Sequence, residues 1–277
     1  IDNGLYPSDQ PKARAQLCLS CHLGNQDKFA SHDIMGAGHP RLAFELDTFG
    51  ILQPLHYVVD EDYQANKWHG NSYATWFYGQ LEASRATLEL LKTKLLNNTA
   101  LFPEIALFDC HSCHHEMDDI KWTKTKGQGF KPGTVRINDG NLKMLMAMAS
   151  NTMLSRELHQ NIQTVRHVLN DKTLLVKAID ATFSTIEKLE AIFVDQNDQQ
   201  RMNAAQQVLT KIIEMGIGQQ FSDYIAAEQA VMAVDLLIAS LEKPAVNKQQ
   251  IEQLYQLVKH ENSYDAAAFS ALMKALK

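Results

Sequence analysis

Cys18-Leu19-Ser20-Cys21-His22 and Cys110-His111-Ser112-Cys113-His114 repeat one arrangement: two thiols separated by two residues, followed at once by an imidazole. Each matches C-x-x-C-H, the signature of covalent haem attachment. Two thiols at this spacing add across the two vinyl groups on one side of a porphyrin. The next residue then falls beneath the iron, where its imidazole is the proximal ligand. On this reading Cys18, Cys21, Cys110 and Cys113 carry two c-type haems, and His22 and His114 bind their irons. All 4 cysteines of the chain are used. The competing reading is a four-cysteine zinc site, whose pairs are usually joined by a modest loop, whereas residues 22–109 lie between these two. A thioredoxin-like redox pair would need a βαβ context, and no strand pattern is present.

Two irons with two proximal histidines leave two distal positions. The candidates are His32, His39, His56, His69, His111 and His115, with Met35 and Met117 as thioether alternatives. His115 follows His114 directly, so the two cannot reach one iron. His39 precedes a proline that suits the first turn of a helix, and Gly36 and Gly38 before it allow close backbone approach to a flat macrocycle. His39 is therefore the favoured distal ligand of this stretch, with His32 and His56 behind it. The Arg41 guanidinium matches a carboxylate such as a haem propionate.

The succession C-x-x-C-H, then His32-x-x-Met35-x-Ala37-Gly38-His39-Pro40-x-Leu42, then C-x-x-C-H-His115 resembles the multihaem cytochrome c family. It is similar in particular to the cytochromes that accept electrons in hydroxylamine oxidation. The resemblance spans roughly residues 15–120. It implies that His115 ligates the iron of the neighbouring haem, the one held by Cys18 and Cys21, which would bring the two haems close together. Those relatives usually carry more haems than the two motifs here provide.

The elements that must position these residues are helical. The first 140 residues hold eight of the 11 histidines, every cysteine and tryptophan and six of the 7 prolines, and the remainder is a run of helical patterns. The expectation is an all-α chain: a dihaem domain over 1–140 with little regular sheet, then an antiparallel helical bundle over 141–277, with the boundary in the loop Lys124–Gly140. Ser8 is the expected N-cap of a helix running into Cys18, and His39-Pro40 opens a second. Residues 66–97 read as one long helix with Leu88, Leu91 and Leu95 on one face, and Pro103 begins a short helix toward Cys110. In the second half, Ile179, Phe183, Ile186, Leu189 and Phe193, then Met202, Ala205, Leu209 and Ile212, form apolar stripes of five or six helices. Met144, Met146 and Met148 read as core. Trp68, Trp76, Phe77 and Phe108 are expected to wall off the porphyrins.

A net charge of −6 shows no basic surface for nucleic acid. The most apolar stretch, 226–241, is interrupted by Glu228 and Asp235, so no transmembrane segment is expected. Covalent haem attachment is completed outside the cytoplasm, which points to the bacterial periplasm and to a leader already removed. Saturated irons would make the chain an electron carrier between redox protein partners. One open iron would make it a peroxidase, a reductase of small nitrogen oxides or a gas sensor. Hairpins in the helical half offer a surface for a docking partner or a homodimer.

Overall fold

The computed structural model describes residues 6–52, 60–66, 71–96, 104–114, 136–149, 153–241 and 248–277. The fold is all-α, with helices taking up 75% of the described residues. In chain order they are α1 (Pro11–His22), α2 (His32–Gly36), α3 (Leu46–Leu52), α4 (Glu61–Asn66), α5 (Ser72–Leu96), α6 (Gly140–Met148), α7 (Met153–His167), α8 (Lys172–Val194), α9 (Asp198–Ile217), α10 (Tyr224–Ser240), α11 (Lys248–Leu257) and α12 (Ala266–Ala275). Short 3-10 turns cover Ile105–Leu107, Cys110–Ser112 and Glu261–Ser263. Pairing between extended segments among the described residues is confined to an isolated bridge between Phe108 and Ile137.

Helix α5 is the axis of the molecule. Trp76, Leu81, Leu88 and Leu91 on it are fully buried, and it packs against α1, α3, α6, α8 and α10. The main core is thereby continuous across residue 140, running from Ala43 to Met273. Phe77 stacks on Phe193 of α8 with ring centres 3.8 Å apart, and Tyr73 and Tyr78 meet the same ring edge-on. Trp76 and Phe77 thus face the bundle; Phe108 is partly buried against the same core, and Trp68 lies outside the described residues. Met144 is fully buried, with Met146 and Met148 packed beside it.

Helix α10 is apolar on nearly every side, as a helix at the centre of a bundle must be. The charges that interrupt it each have a partner: Glu228 accepts from Arg41 and Asp235 from the Tyr255 hydroxyl. A buried amide chain also crosses the core. Asn141 donates to Gln80 at 2.8 Å, Gln80 to Gln229 at 2.8 Å, and Gln229 to the carbonyl of Ala43 at 3.0 Å. An amide left unpaired in such a place would cost about 1–3 kcal/mol, so these bonds fix the register of α5, α6 and α10.

Helix ends follow local chemistry. Asp171 caps α8 through the Leu174 amide, and Asn197 and Gln200 form a reciprocal capping box at α9. The cap of α1 is Gln10, with Pro11 in the first turn, and not Ser8, whose carbonyl instead accepts from Arg14 at 2.9 Å. The helix expected from His39-Pro40 is absent. The residues before it form α2, and the chain runs irregularly to α3. The expected single helix over 66–97 is not found: Asn66 ends α4, Asn71 is not helical, and α5 begins at Ser72. In the second half, the α9 stripe buries Ala205, Leu209 and Ile212 but leaves Met202 on the surface.

Asp139, at the mouth of α6, is buried between Arg166 of α7 at 2.5 Å and Lys143 at 3.0 Å, and Lys143 also pairs with Asp223, the cap of α10. Burial alone would raise the Asp139 carboxyl, but Arg166 and Lys143 outweigh it and hold it at about 2. Its folded value is below that of a free aspartate, so the stability it contributes is complete above roughly pH 5 and is lost as pH falls toward the folded value. Asp139→Asn, which strands Arg166, is expected to cost about 3–5 kcal/mol at pH 7 by urea unfolding. The gap between variant and parent should narrow steadily from pH 5 to pH 2.

Candidate functional site

The first motif occupies the last turn of α1. Ala15 and Leu19 turn inward into a small core with Leu23, Ala30, Leu42, Leu46 and Ala83. That burial fixes the rotation of the helix and leaves Cys18 half-buried and Cys21 and His22 exposed. Lys12 and Arg85 both reach Glu190 of α8, at 2.6 and 2.8 Å, and steady the assembly from outside. Cysteines three apart on a helix share a face, so both thiols, neither in a disulfide, are presented together. The His22 ring stacks on Phe44 with centres 4.0 Å apart, and Phe44 leans on Phe49. Just beyond, Gly24 has φ +87°, and a Cβ there would meet the Lys28 carbonyl at 2.1 Å, so the turn that leaves the motif requires glycine.

The second motif is held differently. Residues 107–109 run beside 136–138: the Asp109 amide donates to the Arg136 carbonyl at 2.7 Å and the Asn138 amide to Leu107 at 2.9 Å. The Asp109 carboxylate caps the turn by accepting from the His111 amide, and Arg136 grips it at 3.0 Å. Cys110 is half-buried, Cys113 and His114 are exposed, and both thiols are free. Burial, then the charges of Glu261 and Asp109, push the Cys110 thiol up to about 11; burial likewise raises Cys18 against the pull of Arg14. Both inner thiols therefore rest protonated. His111 is drawn away from the iron candidates, with its Nε2 3.4 Å from Glu261.

The structure brings His32 and His114 together. Their ring centres are 6.0 Å apart and the planes 29° from parallel. Glu104 accounts for the meeting: its carboxylate accepts from the His32 amide at 3.0 Å and from the Ala106 amide at 3.2 Å, clipping α2 to the 3-10 turn that leads into the second motif. Sequence reasoning missed Glu104, although its position after Pro103 is that of a helix cap. Two imidazoles on opposite faces of one metal, each at about 2 Å, have ring centres roughly 6 Å apart. The His32–His114 centre-to-centre distance is of that size.

The other candidates fall elsewhere. His39 is exposed, with Nδ1 2.6 Å from the Pro40 carbonyl, a contact that makes Nδ1 the donor and leaves Nε2 as the basic nitrogen. Gly36 and Gly38 are exposed, with nothing within 4 Å of where a side chain would stand. Arg41 is committed to Glu228 at 2.7 Å and lies over the Tyr224 ring, so its carboxylate partner is a protein side chain. Met35 is half-buried against the small core. His56, His69, His115 and Met117 lie outside the described residues. Among the described residues, no three histidine, cysteine or acidic side chains converge on a point that could hold a metal ion, so the four cysteines are not gathered into the zinc site considered above.

With haem attached, His32→Ala is expected to turn one of the two haems high-spin and open to carbon monoxide on reduction, read from the absorption spectrum, while the other is unchanged. Comparison with protein-family models, with curated proteins and with solved structures gave no match, so the meaning of the site rests on its own residues.

Proposed function

We propose that this chain is an exported dihaem c-type cytochrome, allied to the multihaem cytochromes c, that relays electrons between redox protein partners. The observation that carries the reading is the approach of His32 to His114, the histidine of a C-x-x-C-H motif. It supports a filled coordination sphere there, and a filled iron exchanges electrons without binding substrate. Attached haem would supply one-electron chemistry, with potentials set by its axial ligands and surroundings.

The chain's own residues have defined parts in this proposal. Cys18 with Cys21, and Cys110 with Cys113, hold the two groups by thioethers. His22 and His114 are the proximal ligands, His32 the distal ligand opposite His114, and His39, His56 and His115 the remaining candidates opposite His22. Phe44 restrains the His22 ring, and Glu104 restrains His32 through its backbone. Second-residue support of this kind sets ligand orientation and hence the potential. Ligation by two imidazoles lacks the thioether that raises potential, so both centres are expected to be of low potential. Among the described residues no helix is long and apolar enough to cross a membrane. Assembly of covalent haem places the working chain in the periplasm.

The protein should be matured in an export-competent host and assayed by pyridine haemochrome and by oxidised and reduced spectra. Two haems per chain are expected, low-spin in both states and indifferent to carbon monoxide. The double variant Cys110→Ala/Cys113→Ala should halve the count. A chain without haem after such maturation would overturn the proposal, and zinc would then be the group to assay.

A further inference from the structure

Away from both motifs, a cavity of about 270 Å³ opens between α3, the start of α5, the end of α10 and α11. Asp47, Thr48, Ser72, Asp235, Leu236 and Tyr255 line it, and among its described lining residues none is basic. Asp47 is only 7% exposed, and its Oδ2 has no hydrogen-bond partner among the described residues. The acids around it are otherwise occupied. Glu45, fully enclosed behind the wall, accepts from the amides of Asp47 at 3.1 Å and Thr48 at 2.7 Å, and Asp235 accepts from Tyr255 at 3.0 Å. Arg14 acts on Asp47 electrostatically, but its guanidinium donates to the carbonyls of Ser8 and Asp9.

A buried carboxylate with one oxygen unbonded, beside a second acid and an open space, is suited to a cation. An uncompensated charge of this kind is costly, and a bound counter-charge removes the cost. The space is too large for a bare ion, and no three metal-binding side chains converge there among the described residues. It is near the lower end of the volumes that hold small organic ligands. The hydroxyls of Thr48 and Ser72 add acceptors for N–H groups, and Leu236 adds an apolar wall for a short hydrocarbon.

We propose that this cavity binds a small organic ammonium ion, with Asp47 as its counter-charge and Leu236 against its alkyl part. Burial and then the neighbouring Glu45 raise the Asp47 carboxyl to about 7, against the hydrogen bond from the Ser72 side chain and the pull of Arg14. The proposal is independent of the haem reading, because no residue of either motif lines the cavity.

The test is isothermal titration calorimetry of the full chain at pH 7.5 with n-butylammonium chloride, set beside n-butanol and calcium chloride. Saturable binding of n-butylammonium is expected, with neither of the others binding. Asp47→Asn, which keeps the shape and removes the charge, should weaken binding about tenfold or more. Ala239→Leu, which fills the cavity and leaves Asp47 in place, should weaken it as much. An unchanged visible spectrum during titration separates this site from ligation at iron. Equal binding of n-butanol, calcium binding that depends on Asp47, or n-butylammonium binding untouched by both variants would each overturn the proposal.

Discussion

Burial of α5 from several sides at once is the constraint on which the other elements depend. A helix that presents Trp76, Leu81, Leu88 and Leu91 to different neighbours cannot rotate or slide without emptying the core somewhere. The first motif is carried by a helix laid along α5. The second follows a 3-10 turn that also packs on α5, and α10, the most buried helix of the second half, packs on α5 as well. Interiors at crystal-like density transmit such constraints rigidly.

On that frame the chemically active groups are kept at the margin. Each motif has one thiol half inside and one outside, with its histidine exposed, so a large planar group can be brought up to the thiols without unpacking the core. Position is set instead by short polar anchors. Glu104 ties α2 to the approach of the second motif, and the Asp109–Arg136 pair with its flanking amide bonds fixes the motif itself. Anchors to backbone amides have few degrees of freedom, which suits a site whose ligands must be held within fractions of an ångström.

Charges inside the molecule fall into two kinds. The set of Asp139, Lys143, Arg166 and Asp223 is balanced, two acids against two bases, and joins α6, α7 and α10. Arg41 and Glu228 likewise compensate each other across the two halves of the chain. The acids beside α3 are not balanced in this way. The contrast matters because low dielectric surroundings reward complete pairing and penalise its absence alike.

The sequence by itself determined the two C-x-x-C-H motifs, the all-α class and the apolar stripes of α8 and most of α9, because these rest on covalent spacing and apolar period acting over a few residues. It also showed that Glu228 and Asp235 interrupt an apolar stretch, though not that one meets Arg41 and the other Tyr255. Contacts between residues far apart in the chain carry no local signal. The sequence favoured His39 for its proline and glycines, but it is His32 that lies beside His114, through a carboxylate 72 residues further on. Phe77 was legible as apolar but not as the neighbour of Phe193. Which partner a side chain meets was decided by the packing of α5 and α10, since only the tertiary fold brings distant segments within bonding range.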